Sequence, residues 1–178
     1  MKAIPFSACL MLALAVPALG QNRELGCHFG LGLADFHGCP AFGLAAAVPL
    51  SSPLSLEAEF FYYFNPAHKV ENPPAGFHQS SMAADLSLGC FYRFAEKGAR
   101  IIPYAGAGIG YLYTSVLTDH SPSVRAVESR SRFLAALAAG ARFRFSRSLG
   151  LQMEARWLVL SAGGGRVLRI SAGLYTFF

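Results

Sequence analysis

Along the stretch "LQMEARWLV", side chains alternate in character. Leu151, Met153, Ala155, Trp157 and Val159 fall on one parity, and Gln152, Glu154 and Arg156 fall on the other. A period of two marks a strand with one apolar and one polar face. The pattern recurs. Leu56, Ala58, Phe60, Tyr62 and Phe64 alternate with Ser55, Glu57 and Glu59. Met82, Leu86, Leu88, Tyr92 and Phe94 oppose Asp85, Ser87 and Arg93. Phe143 and Phe145 oppose Arg142 and Arg144, while Gly106, Gly108 and Gly110 oppose Ala107, Ile109, Tyr111 and Tyr113. Eight such segments are predicted as strands, over 25–35, 41–48, 54–64, 81–94, 101–116, 132–145, 149–160 and 167–178.

The connections also carry information. Those after the second, fourth and sixth segments are short ("PLSSP", "AEKGAR", "SRS"), whereas 65–80 and 117–131 are long and polar. Short turns at one end and longer loops at the other are the habit of transmembrane barrels. An even strand number then puts both termini on the short-turn side, which would be periplasmic.

Composition decides between a soluble and a membrane barrel. Hydrophobic residues make up 53% of the 178 and charged ones 14%, with mean hydropathy +0.38. The chain opens "MKAIPFSACLMLALAVPALG", a lysine, an apolar stretch and small residues. This is the layout of a secretory signal peptide spanning 1–20, with the mature barrel over 21–178. An uncleaved anchor fits Pro17 and the small residues before Gln21 less well. No leucine precedes Cys9 or Cys27 by three residues, which argues against lipidation. Beyond Gln21 no apolar run reaches the roughly 18 residues of a membrane helix. An oily chain without such a run fits strands that cross a bilayer. The bore of an eight-stranded barrel only just accommodates side chains. Glycines and paired charges therefore belong inside and the bulky apolar face against lipid. Aromatics gather near strand ends (Phe60 to Phe64, Tyr111 and Tyr113 at one, Phe91, Tyr92, Phe94, Phe143 and Phe145 at the other), as interfacial girdles do. The expected fold is all-β, an eight-stranded antiparallel up-and-down transmembrane barrel.

Inward charges follow from parity. Glu57, Glu59, Asp85, Arg93, Arg142, Arg144, Glu154, Arg156 and Arg169 all point to the lumen. The third strand lies across from the seventh and the fourth across from the eighth. Carboxylates should therefore meet arginines across the bore, with Glu59 facing Arg156 at mid-height and Glu154 beside Arg142. An unpaired buried charge is costly, and the arginine fork suits carboxylates. Such a network reads as a structural plug; a gated pore or proton path is the alternative.

The residues "IIPYAGAGIGYLY" resemble a strand motif of small outer-membrane barrels. The closing strand resembles the signal read by the barrel-assembly machinery, on Ser171, Gly173 and Phe178, although Thr176 stands where a larger apolar residue is usual. The chain is thus similar to the family typified by the outer-membrane A and X barrels. The resemblance implies a Gram-negative outer membrane, contact with lipid and lipopolysaccharide, and the assembly machinery as a biogenesis partner. It implies no shared activity.

Candidate chemistry is sparse. Some small barrels modify lipid A through histidine, serine and acid groups, and His78, Ser80 and His120 are the residues here that such an enzyme could use, with Asp119 nearby. Their reading as polar loop residues is the simpler one. Histidines and cysteines show no metal-ligand spacing, and no cofactor or metal is expected. Cys27, Cys39 and Cys90 are expected to remain free thiols, because nine extended residues separate the first two by about 30 Å. Loss of Lys2 lowers the net charge from +5 to +4, and dispersed arginines on an exported chain argue against nucleic acid. Lys69, Arg125, Arg130, Arg132 and Arg166 lie where lipopolysaccharide phosphates would be met, and loops 65–80 and 117–131 where a host or envelope partner would. The expectation is a non-catalytic outer-membrane barrel for envelope integrity or adhesion. A lipid A-modifying enzyme is the alternative, and a narrow pore the minor one.

Overall fold

The computed structural model of the chain describes residues 23–64, 66, 78–95, 99–121, 124–146, 148–161 and 165–177. The predicted leader 1–20, Lys69 and Phe178 lie outside them. The described residues form strands β1 (Glu24–Ala34), β2 (Cys39–Pro49), β3 (Leu54–Phe64), β4 (His78–Arg93), β5 (Ile101–Ser121), β6 (Val124–Arg144), β7 (Leu149–Leu160) and β8 (Arg166–Phe177). Each strand pairs antiparallel with the next, and β8 returns to β1 to close the barrel. At the seam Glu24 stands opposite Phe177 and Ala34 opposite Val167. Closure leaves no sheet edge in the barrel wall. Glu24 and Phe177 mark the terminal end; the β1–β2 turn lies at the other, distal end.

The wall is inverted relative to a soluble protein. Ile109, Phe29, Leu137, Phe133, Met153 and Ile170 are exposed around it, while Glu57, Glu59, Asp85, Arg156 and Arg169 are buried. An apolar belt this continuous is accounted for by lipid. Tyr62 with Phe64 and Tyr111 with Phe133 pack edge-to-face at the distal rim, at 4.9 and 4.4 Å between ring centroids. Tyr92 and Phe94 pair at 5.0 Å at the terminal rim. Phe61, Tyr63 and Phe91, which the sequence groups with the girdles, point inward and are buried. They share parity with Glu57, Glu59 and Arg93, and parity outweighs side-chain character. Gly43 makes room for one of them, since a Cβ there would collide with the Phe61 ring.

A larger departure concerns residues 117–131, which their polarity marks as a loop. There β5 and β6 continue as paired strands as far as Ser121 and Val124, with one irregularity between Asp119 and Ser121. β4 likewise begins at His78, opposite Asp119. β7 reaches only Leu160, opposite Leu134, and Ser161 N–H donates to the Phe133 carbonyl at 2.8 Å. Beyond that height β6 has β5 alone beside it among the described residues. Strands clear of lipid need no apolar face, so alternation of hydropathy stops while Thr, Ser and Val still favour extended backbone.

The distal mouth is closed by the β1–β2 turn. Ala34, His37 and Gly38 adopt positive φ (60°, 46° and 79°), which costs non-glycine residues about 1 kcal/mol each. The turn thereby drives Phe36 into the bore, edge-on to Tyr63 at 4.7 Å. Beneath it Cys39, Phe61, Leu112, Leu134, Leu158, Leu160 and Val167 form a buried apolar cluster.

Candidate functional site

Below that cluster the bore is a ladder of ion pairs. Arg169 from β8 is the largest fully buried side chain. It pairs with Glu59 and, at 3.2 Å, with Asp85. Its Nη1 also donates to the Tyr63 hydroxyl at 3.3 Å, and Tyr63 donates to Asp85 at 2.5 Å. The guanidinium carbon sits 3.5 Å from the Phe61 ring centroid, a cation–π contact that desolvation strengthens.

One layer down, Arg156 pairs with Glu59 across the bore. It donates to Glu154 through Nε at 2.8 Å and to Ser87 Oγ at 3.1 Å. Tyr104 donates to the same Glu154 at 2.9 Å. Lower still, Arg142 joins Glu57 at 2.5 Å and Glu24, while Arg93 reaches Glu24 at 2.8 Å. Arg142 lies near the faces of Tyr104 and Tyr175. Arg144 is half-buried on the same side of β6.

Among the inward charges, Glu154 stands apart from the arrangement expected of it. The register sets Gln152, not Glu154, opposite Arg142, and Gln152 Oε1 accepts from Arg142 Nε at 2.8 Å. Glu24 and Tyr104 are not among the lumen groups predicted from parity, and Phe61 and Tyr63 are predicted in the aromatic girdle. Parity would have placed Tyr63 and Phe61 inside with Glu59; Glu24 lies just before the first predicted strand. Each charge in the ladder faces an opposite one within the barrel wall, an arrangement that fixes strand positions.

The other candidate residues are dispersed. Ser80 is exposed on β4; His78 and His120 lie on the outer parts of β4 and β5, with His78 in register with Asp119. Arg130 is exposed on β6, its Nε donating to Glu128 at 2.7 Å. Arg132 shares parity with Leu134 and Ala136, so it faces the space above the lumen and not the lipid. Arg125 lies in β6, opposite Asp119. Arg166 is exposed, and its backbone N–H donates to Asp35 at 2.6 Å. The lipid side of the hairpin carries hydroxyls: Tyr113 donates to Ser129 at 3.1 Å and Ser129 to Ser115 at 3.2 Å. Ser171 and Gly173 face the lumen on β8. Cys27, Cys39 and Cys90 are free thiols.

These features define the class: the fold is that of the small eight-stranded outer-membrane barrels. No protein-family model and no curated protein matches the chain. Among solved structures it is similar to the N-terminal β-barrel domain of Pseudomonas aeruginosa OprF, with TM-score 0.61, 16% identity, and 89% of this chain and 99% of that one covered. Neisserial surface protein A gives TM-score 0.61 at 13% identity over 88% of this chain and 96% of that one. Ail, the attachment invasion locus protein of Yersinia pestis, gives 0.57 at 14% over 88% and 97%. At such identities the likeness speaks for the fold.

Proposed function

We propose that the chain is a non-catalytic barrel of a Gram-negative outer membrane, exported by its leader, with both termini periplasmic and a role in surface interaction or envelope integrity. The observation that carries this reading is the β5–β6 hairpin. Its strands run well past the rim at which β7 ends, and they present exposed Val127 and hydroxyls to the outside. A bare membrane staple needs no such extension. Arg166, with Lys69 and Arg125, supplies cations for lipopolysaccharide phosphates, whereas Arg130 shares the inner face of Arg132. Ail, of the same fold, has been solved with the heparin analogue sucrose octasulfate, so a barrel of this size can take up a polyanion. The sealed distal lumen speaks against a pore.

The test is a deletion strain complemented by the full chain or by a chain with residues 116–128 replaced by a two-residue Asn-Gly turn. The interaction reading expects the shortened chain to restore detergent resistance but not attachment to protein-coated surfaces. Full attachment with the shortened chain would sink it.

A lipid A-modifying enzyme is the second reading, favoured by one observation: the backbone register sets His78 against Asp119, next to His120. It requires a lipid A mass that changes on deletion and is not restored by His78→Ala or His120→Ala.

A further inference from the structure

The projecting hairpin leaves one strand edge open. β7 ends at Leu160, opposite Leu134, and above that height β6 is paired on its β5 side alone among the described residues. The Phe133 carbonyl accepts from Ser161 N–H on the β7 side, whereas the Arg130 carbonyl accepts from Thr114 Oγ1 on the β5 side at 3.4 Å. In an antiparallel ladder the N–H and C=O of one residue point the same way and alternate along the strand. Val127, Ser129 and Ser131 therefore turn both groups to the open side, where residues 126–131 are exposed. No proline, lysine or bulge blunts β6 there. Such a row of backbone groups is a template for another strand.

The side chains along this edge select the strand that fits it. Glu128 and Arg130 share the inner face and pair with each other; opposite them on β5 stand the uncharged Val116 and Thr114. A second β6 edge laid antiparallel, with Ser129 opposite Ser129, sets Glu128 of each copy against Arg130 of the other. It also sets Val127 against Ser131 and Ala126 against Arg132. Opposite charges facing across strands stabilise a sheet, and like charges weaken it. The adjacent registers that still join the open backbone groups fail on this ground. Val127 opposite Ser129 sets Glu128 against Glu128, and Ser129 opposite Ser131 sets Arg130 against Arg130. The edge is complementary to itself in one register.

We propose that the β6 edge is a homotypic docking surface that takes the same edge of a second copy of this chain. The inference rests on the reading of the hairpin as an interaction element and names its partner. A two-fold axis relating two antiparallel edges stands perpendicular to their sheet. Here the sheet continues the barrel wall, so the axis lies parallel to the membrane and one barrel is inverted relative to the other. The two copies therefore sit in facing membranes. Ser129 lies five residues above Leu134, at the height of the Tyr111–Phe133 girdle pair. At about 3.3 Å per residue and the usual strand tilt, the two girdles stand about 25 Å apart.

The experiment uses the full barrel reconstituted from detergent, in both orientations, into phosphatidylcholine vesicles carrying a donor or an acceptor lipid dye. Protein-bearing vesicles should tether to each other and not to protein-free ones, with a uniform gap on the order of 25 Å between bilayers in cryo-electron micrographs. Glu128→Arg and Arg130→Glu each bring like charges into opposition, and either alone should cut tethering roughly tenfold or more. Mixing Glu128→Arg vesicles with Arg130→Glu vesicles again sets each carboxylate against a guanidinium and should restore it. With Cys27, Cys39 and Cys90 changed to Ser, Ser129→Cys faces itself and should form a disulfide between copies under copper–phenanthroline oxidation, whereas Val127→Cys should not. Tethering to protein-free vesicles, single variants as active as the parent, or a mixture no better than its components would overturn the proposal. So would parent vesicles that fail to tether. If the shortened hairpin still abolishes attachment to protein-coated surfaces in that case, the hairpin meets a foreign partner and its reading as an interaction element stands.

Discussion

At the distal end of the lumen Phe36, Phe61, Leu112, Leu158 and Val167 form a buried apolar cluster, whereas from Asp85 down to Glu24 the same bore is filled by ion pairs. Both fillings exclude water from a narrow barrel, but they tolerate change differently. An apolar layer asks for volume, and swaps that conserve volume usually cost less than about 1.5 kcal/mol. The charged layers ask for particular partners, since removing one strands the other in a low-dielectric wall. Stability in the lower half should therefore depend on residue identity, and in the upper half on size.

Arg169→Ala carries the largest expected effect. It leaves Glu59 and Asp85 short of a countercharge and uncovers Phe61, for a loss of about 3–5 kcal/mol. Guanidinium unfolding of the protein refolded in lipid vesicles measures it. Replacing Arg169, Glu59 and Asp85 together by Met, Leu and Leu should recover most of that loss; a triple variant as weak as the single one would contradict the comparison. Arg156→Ala should likewise lower stability while leaving planar-bilayer conductance unchanged.

Phe36→Ala comes next, at about 3 kcal/mol, and it has a chemical reporter. Cys39 is 5% exposed beneath the turn. With Cys27 and Cys90 changed to Ser, a membrane-impermeant maleimide should leave Cys39 unlabelled in the parent and label it in Phe36→Ala. Equal labelling of the two would mean that the turn does not seal the mouth. Tyr104→Phe removes only the hydrogen bond to Glu154 and should cost about 1.5 kcal/mol, read from the same unfolding curves.

The charged half was legible in the sequence because its two faces differ. Glu57 and Glu59 between Ala58 and Phe60 leave no doubt about which parity is inside. The apolar half was not, because Leu158 and Leu160 face the bore while Trp157 and Val159 face lipid, and no contrast of character separates them. Parity carried upward from Arg156 is the only guide. The ends of β5 and β6 were hidden for a related reason. Alternation reports a lipid boundary and not the end of a strand, so Leu117 to Asp119 and Arg125 to Ser131 read as loop although their backbone stays paired. Arg132, the first residue of the predicted strand 132–145, shares the parity of Leu134 and therefore faces the space above the lumen.

The projecting hairpin provides the smallest predicted effect and the sharpest contrast with Arg169. Arg130 and Glu128 form an ion pair on its inner face, with side chains 61% and 63% exposed. Water solvates either partner once the other is gone. Exposed pairs are worth roughly 0.2–1 kcal/mol. Arg130→Ala should thus cost less than about 0.5 kcal/mol, and Glu128→Ala no more, with the double variant close to the sum of the two. A coupling energy above about 1 kcal/mol in that cycle would show that the hairpin is held as rigidly as the barrel wall. It would then have to be treated as part of the membrane fold and not as an extension free to meet a partner.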